Sequence, residues 1–232
     1  MKSGEVKRDR VSLIVYAKDE IDGMRAMMPR IRPEWYDELI IIDGHSKDGT
    51  AEYAREQGYT VYEQEEAFWA GAYKEGHRRS SGDILIDFSP DGNSVPELIP
   101  QLTAKIREGY DLVIASRYTG GAKSEDDSWL TRFGNALFTT MVNVLFGSKY
   151  TDVLVIYRAY RRSLLQEAGL DRDLDHAFTT QVSIRAARLK KRVADIPGDE
   201  PKRIGGVPKM NVLRDGFLDL ILIIREFFKS SY

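Results

Sequence analysis

Short apolar runs, many of them β-branched, alternate along the first half of the chain with segments whose apolar positions recur at helical spacing. Residues 11–15, 39–42, 59–62, 84–86 and 111–115 have the length and composition of strands. Between them, 20–28, 51–57, 68–79 and 95–108 read as helices. Pro29 and Pro33 stop the first of these, and Gly58 and Gly109 close the second and fourth. Gly71 and Gly76 weaken the third, and Pro100 bends the start of the fourth. Ser94 and Glu97 stand at the spacing of a capping box for that last helix. Strands alternating with helices predict a mostly parallel sheet with helices on both faces, and this part forms a doubly wound half of about 115 residues.

The second half changes character. Residues 120–127 form a polar loop, 129–146 a helix, 153–157 an apolar, strand-like run, and 177–189 an amphipathic helix. Residues 192–196 lead as a strand into Pro197, a loop rich in Gly, Pro and basic residues covers 198–210, and 212–228 is a long helix. No linker divides the chain, so one compact unit is expected, preceded by a flexible arm at 1–10. Within it the two halves are 11–118 and 119–210, with 211–232 as a C-terminal amphipathic segment.

Composition narrows the function classes. The chain has 232 residues, 42% hydrophobic and 30% charged, the balance of a globular protein. A net charge of -2 implies no general attraction to nucleic acid. With no cysteine there is no disulfide frame and no thiol catalysis, which suits a cytoplasmic location. Residues 1–10 lack the apolar core of a signal peptide, and no run reaches the ~20 apolar residues that cross a bilayer.

The chemistry centres on Ser89-Pro90-Asp91-Gly92-Asn93-Ser94, a turn that follows the 84–86 strand. Open α/β sheets bind ligands at the carboxyl ends of their strands. Asp91 offers a carboxylate and Asn93 a carbonyl oxygen, ligands suited to Mg2+ or Mn2+ shared with substrate phosphates. The same residues are also ordinary turn chemistry. The turn alone leaves both readings open.

Six stretches in order together resemble the family 2 glycosyltransferases of GT-A fold, most closely the dolichol-phosphate mannose synthase and polyprenyl-phosphate sugar transferase branch. They are Val11 through Glu20, Ile42 through Thr50, Ser89 through Asn93, Asp111 through Tyr118, Thr151 through Arg161, and Arg203 through Met210. The resemblance implies a metal-dependent enzyme that moves a sugar from a nucleotide-diphosphate sugar (GDP- or UDP-linked) to an acceptor, with inversion. A polyprenyl phosphate at a membrane surface is one such acceptor. It places nucleotide contacts at the backbone of Tyr16 and Ala17 and at the carboxylates of Glu20, Asp43 and Asp91. It places the metal at Asp91 and Asn93, phosphate contacts at Arg203 and Lys209, and catalytic roles at Asp91, Arg117 and Asp152. Asp152 is the first candidate to orient or deprotonate an acceptor hydroxyl, with Asp175, near His176, the second. Arg117 is either a phosphate ligand or an ion-pair partner of Glu125, Asp126 or Asp127. Glu20 has a competing reading as helix N-terminal charge, Asp43 as an Asx-turn, and Arg203 with Lys209 as a solvated loop. His45 reads as turn structure.

The chain departs from the family pattern in four places, one of them Tyr16, which stands where proline is common. The metal motif lacks one carboxylate in either frame: Asn93 fills the second place, or, counted back from Pro96-Glu97, Ser89 fills the first and Asp91 the second. Phe68-Trp69-Ala70 stands where glycine and lysine are usual, and Val155-Ile156 replaces small residues. Two alternatives follow, a nucleotide-sugar-binding domain with weak turnover and a sugar-phosphate nucleotidyltransferase. The second lacks its glycine-rich basic loop after the first strand. The C-terminal helix is apolar over more than one face, which fits packing on the core, pairing in a homodimer, or lying in a membrane interface.

Overall fold

The apolar run at the start of the chain becomes β1 (Val11–Ala17), and every one of its residues is buried. Ile14 and Tyr16 face one apolar layer, while Val11, Leu13 and Val15 face the other. A strand covered on both faces reads as a continuous apolar run, which is why this segment is legible without alternation. The computed structural model describes residues 8–206 and 211–230.

In chain order there follow α1 (Ile21–Met27), β2 (Glu38–Asp43), α2 (Thr50–Glu56), β3 (Thr60–Glu63), α3 (Phe68–Arg79), β4 (Ile84–Phe88), α4 (Ile99–Arg107) and β5 (Leu112–Ser116). The second half adds α5 (Trp129–Phe146), β6 (Arg158–Arg161), α6 (Arg162–Glu167), α7 (Phe178–Arg188), β7 (Val193–Pro197) and α8 (Val212–Phe228). One seven-stranded sheet runs in the order β3-β2-β1-β4-β6-β5-β7. Every pairing is parallel except those of β6, which runs antiparallel to both β4 and β5. Met24, Ala54, Ile99, Leu102 and Ile106 of α1, α2 and α4 cover one face. Ala72, Tyr73, Val142, Phe178 and Val182 of α3, α5 and α7 cover the other. Each such fully buried side chain contributes about 1.5–3 kcal/mol.

Three local expectations are corrected. The apolar run 153–157 is not a strand. It loops around the guanidinium of Arg158, whose Nε and Nη2 donate to the Val155 carbonyl and whose Nη2 also donates to that of Val153, at 3.2 Å. The strand is the next segment, β6, and its position between β4 and β5 means the first five strands are not a self-contained half. The capping box does not form either. The segment opens as a 3-10 turn at Pro96–Leu98 with no side-chain cap, because prolines at 96 and 100 remove backbone donors there. The short helix α6 had no counterpart in the sequence reading.

The parallel strands all point their carboxyl ends the same way. The loops after β1, β2, β4, β5 and β7 therefore meet along one edge of the sheet, and this mouth is where the site lies.

Candidate functional site

Two loops form one wall of the mouth and lock together through reciprocal hydrogen bonds. Asp19 N–H donates to Ser46 Oγ at 2.9 Å, and Lys47 N–H donates back to Asp19 Oδ1 at 2.7 Å. Glu20 N–H donates to Thr50 Oγ1 at 2.9 Å, and Ile21 N–H to Asp48 Oδ2 at 3.0 Å. Asp48 also accepts from the Thr50 N–H at 2.9 Å, an Asx-turn that leads into α2. The shared scaffold fixes Glu20 and Asp43 beside the end of β1. Ala17 pairs with Asp43, while the β1–β4 register stops at Val15, so Tyr16 and Ala17 run past the end of β4.

Asp43 Oδ2 accepts from the Ser46 N–H at 3.0 Å, which is the turn-forming bond. Its Oδ1 is buried and has no hydrogen-bond partner among the described residues. A buried carboxylate oxygen left open is costly unless a donor arrives. His45 is exposed in a left-handed conformation, in keeping with a turn role.

The opposite wall is the turn after β4. Asp91 is 8% exposed, and its Oδ1 accepts from the Asn93 N–H at 3.0 Å. Gly92 has φ +97°, and a Cβ there would lie 2.7 Å from Ile204. Glycine is required on both counts, and it lets the 201–206 segment lie across the turn. Ile204 N–H donates to the Asp91 carbonyl at 2.7 Å. Arg203 then reaches into the mouth and bridges its two walls. One Nη donates to Asp91 Oδ2 at 2.7 Å, and the other donates to Glu20 Oε1. The Arg203 Nε is buried with no hydrogen-bond partner among the described residues. Glu20, Asp91 and Arg203, read from three separate stretches, thus meet at one point, with Asp43 on the adjoining loop. Lys209, the second expected phosphate ligand, lies outside the described residues.

Asn93 is oriented by the same strap. Its Nδ2 donates to the Pro201 carbonyl at 2.8 Å and to Asp126 Oδ2 at 3.2 Å. A carbonyl only accepts, so the amide nitrogen is on that side and the side-chain oxygen on the other. Among the described residues no cluster of three or more His, Asp or Glu side chains could hold a metal. The turn after β4 offers one carboxylate, Asp91, with the neutral side-chain oxygens of Ser89 and Asn93 in the same turn. Such a donor set fits a hard cation that takes its remaining ligands from a diphosphate and water. Asp91 Oδ2 is at present met by Arg203, which would have to share it with any such ion.

Arg117 and Asp152 do not reach into this point. Arg117 Nε donates to Asp152 Oδ2 at 2.7 Å and Nη2 to Asp152 Oδ1 at 3.1 Å, a bidentate pair. The other Nη donates to Asp127 at 3.3 Å and Glu200 at 3.4 Å. Burial alone would depress the arginine's pKa, but the Asp152 charge and its hydrogen bonds outweigh that and raise it. Asp152 is fully buried and accepts further bonds from Asn135 Nδ2 and from the N–H groups of Leu154 and Val155. Its two oxygens are taken up by protein donors, which is the geometry of an anchor. Among the expected partners of Arg117, Asp127 is the one it meets. Glu200 was missed, since an acid inside a polar loop carries no signal of its own. The second candidate base, Asp175, pairs with His176 Nδ1 at 2.7 Å and with Arg225 at 2.8 Å.

Behind the mouth, β4 carries a buried carboxylate that the sequence hid inside a strand. Asp87 accepts from Tyr16 Oη–H at 3.1 Å and Tyr160 Oη–H at 3.0 Å. The His77 Nε2 lies 2.7 Å from the Tyr160 oxygen. Burial, then Arg162, holds His77 down to about 3, so it is neutral and donates Nε2–H to Tyr160, which donates in turn to Asp87. Burial raises the Asp87 pKa to about 7, against the pull of Tyr160, Arg158 and Tyr16. The folded state therefore holds this proton more tightly than the unfolded chain does. Stability from the group is complete at pH 4 and is lost as pH rises toward 7, on the order of 4 kcal/mol for a shift of about three units. The Asp87→Asn variant, titrated by thermal unfolding between pH 5 and 8, is expected to show a markedly flatter profile than the parent. An unchanged profile would place the titration elsewhere.

The family model described as Glycosyl transferase family 2 matches residues 21–169. The chain is 28% identical over 216 residues to an undecaprenyl-phosphate mannosyltransferase of Micrococcus luteus, covering 87% of this chain and 88% of that protein. It is 26% identical over 185 residues to a polyprenol monophosphomannose synthase of Mycolicibacterium smegmatis, covering 75% and 70%. A crystal structure of Mycobacterium tuberculosis glucosyl-3-phosphoglycerate synthase with Mn2+, UDP and phosphoglyceric acid superposes with a TM-score of 0.73. It is 19% identical and covers 96% of this chain and 80% of that one. That likeness is one of fold, a GT-A architecture.

Proposed function

Because the chain belongs to glycosyl transferase family 2 and is an enzyme of that kind, we propose that it moves a sugar from a nucleotide-diphosphate sugar to a polyprenyl phosphate, with inversion at the anomeric carbon. The observation that carries the reading is the Arg203 bridge, which joins Glu20 and Asp91 across the ends of the strands. Arg203 Nε is a buried donor without a partner among the described residues, and Asp43 Oδ1 is a buried acceptor in the same condition. A nucleoside diphosphate supplies the complement of both, phosphate oxygens for the first and a ribose hydroxyl or base N–H for the second. Relatives named for undecaprenyl phosphate and polyprenol support a lipid phosphate acceptor.

In this reading Asp43 and the main chain at Tyr16 and Ala17 hold the nucleoside, and Arg203 meets the diphosphate. Asp91 and Asn93 would hold Mg2+ or Mn2+, the ions present in related folds with UDP. Bound there, the ion offsets negative charge as it grows on the leaving diphosphate. An acceptor phosphate is largely ionised at neutral pH, its second pKa being about 6, so its oxygen attacks without a protein base. The enclosure of Asp152 agrees with this. Its bidentate grip on Arg117, which also meets Asp127 and Glu200, ties the loop before α5 to the 198–206 strap.

Thermal unfolding with UDP-, GDP- and dTDP-sugars, each with and without Mn2+, tests the reading. One nucleotide class at about 100 times its Kd stabilises by about 2.7 kcal/mol, a rise on the order of 5–10 °C, and more with metal than without. If no nucleotide raises the midpoint in the presence of Mn2+, the proposal fails. Binding without release of nucleoside diphosphate in the presence of any acceptor would instead support the weak-turnover reading, which the carboxylate missing from the metal motif favours.

A further inference from the structure

Where β1 and β4 meet α3, the layer is largely apolar, with Ile14, Tyr73 and Leu85 all buried in it. Asp87 lies in the same layer and is 0% exposed. A carboxylate buried in the interior of a strand costs stability, and the transfer reaction makes no use of this one. It is held by hydroxyls from the strands on either side. Tyr16 Oη–H of β1 donates to Asp87 Oδ1 at 3.1 Å, and Tyr160 Oη–H of β6 faces both carboxylate oxygens at 3.0 Å. Room for the first phenol is built into the helix above it. A Cβ at Gly76 of α3 would lie 2.8 Å from the Tyr16 oxygen and 2.8 Å from Ile14 Cγ2. Glycine weakens a helix interior, and here it clears the space that one hydroxyl occupies. The rings of Tyr73 and Trp69 meet that of Tyr16 edge-on, at 4.9 and 6.5 Å, and fix the direction in which it points.

We propose that Tyr16 and Asp87 are positioning residues for the donor nucleoside, their hydrogen bond setting the segment 16–20 against β4. The proposal rests on the reading of a nucleotide-sugar donor whose nucleoside meets the main chain at Tyr16 and Ala17. The sheet register shows why such a link matters. The β1–β2 ladder runs on through Tyr16 and Ala17, but the β1–β4 ladder ends at Val15 and Phe88. The bonds that Asp19 and Glu20 make with Ser46, Lys47 and Thr50 likewise all lead to the loop after β2. The Tyr16 hydroxyl therefore links this segment to β4 on the side where the ladder has stopped. β4 is also the strand that leads into the turn holding Asp91. One side-chain bond thus sets the spacing between the wall that meets the nucleoside and the wall that meets the diphosphate. A buried, fully satisfied polar network specifies one arrangement more sharply than apolar contact does.

The test is calorimetric titration of the full chain with UDP, GDP and dTDP, each with Mn2+, beside steady-state transfer from the matching sugar nucleotide to a polyprenyl phosphate. Tyr16→Phe removes the hydroxyl and keeps the ring. It should weaken nucleotide binding about tenfold, the scale on which residues without ligand contact act. The donor KM should rise in step while kcat stays within about threefold, because nucleoside contacts are alike in the ground and transition states. Asp87→Asn keeps an oxygen to accept the Tyr16 hydroxyl and should bind within about twofold of the parent. Asp87→Leu is close in size and has no acceptor, so it should match Tyr16→Phe. The double variant Tyr16→Phe, Asp87→Leu should be no weaker than either alone. The comparison of Tyr16→Phe with Asp87→Asn, both near-isosteric, stands even if Asp87→Leu does not fold. Tyr150→Phe controls for general loosening, since it deletes a buried hydroxyl that donates to the Ser183 carbonyl at 2.7 Å, away from β1. It should lower the melting temperature and leave nucleotide binding unchanged. Equal binding by Tyr16→Phe and the parent would overturn the proposal, as would equal weakening by Tyr150→Phe or a fall in kcat at constant KM. A parent chain that binds none of the nucleotides would overturn the donor reading itself, and the proposal with it.

Discussion

Replacing Asp91 with alanine is expected to abolish both sugar transfer and hydrolysis of the donor, by at least about 10³-fold in kcat/KM. The side chain shares the centre of the mouth with Glu20, and it faces Arg203 at 2.7 Å. Groups preorganised where charge develops are worth about 2.7–4 kcal/mol each, and loss of a metal ligand removes the ion's share as well. The fold should survive. Arg203 keeps Glu20, and the turn is held independently by Ile204 N–H on the Asp91 carbonyl, a main-chain bond that the substitution leaves intact. Product formation by mass spectrometry, beside a circular dichroism melt, separates the two effects. A folded Asp91→Ala enzyme within about tenfold of the parent would contradict the role given to this residue.

Replacing Asp152 with alanine is expected to act the other way, on stability. The change strands the Asn135 amide and the Leu154 and Val155 N–H groups, and it leaves Arg117 with only its longer contacts to Asp127 and Glu200. Removing one partner of a buried pair costs about 3–5 kcal/mol. For a chain of this length that is a fall in melting temperature on the order of 10 °C. If Asp152 were instead the base, the variant would keep its melting temperature and lose kcat with a changed pH profile. Chemical denaturation with steady-state rates across pH 6–9 distinguishes the two.

Glu20, Asp43, Asp91 and Arg203 were marked through the family resemblance, and the structure brings Glu20, Asp91 and Arg203 together at the strand ends with Asp43 on the adjoining loop. The strands themselves were legible because both faces are covered, so β1, β2, β4 and β5 read as bare apolar runs. What failed did so for a common reason. β6 is Arg-Ala-Tyr-Arg, a charged segment that no strand pattern selects. Its Arg158 is buried because carbonyls from 153, 155 and 179 converge on the guanidinium, an environment that only the assembled fold provides. The apolar run beside it was diverted into building that cage. Likewise Arg117 and Asp152 could be marked individually, but nothing in their 35-residue separation showed that each would satisfy the other.

The place of β6 also bears on how the chain matures. Because residues 158–161 separate β4 from β5, a nascent polypeptide that has emerged only as far as β5 has nothing for that strand to join. The sheet would then zip shut late, after more than two thirds of the protein has been made. Until that moment the edge of β4 and the whole of β5 stay open to intruders, a window in which chaperones would be needed most.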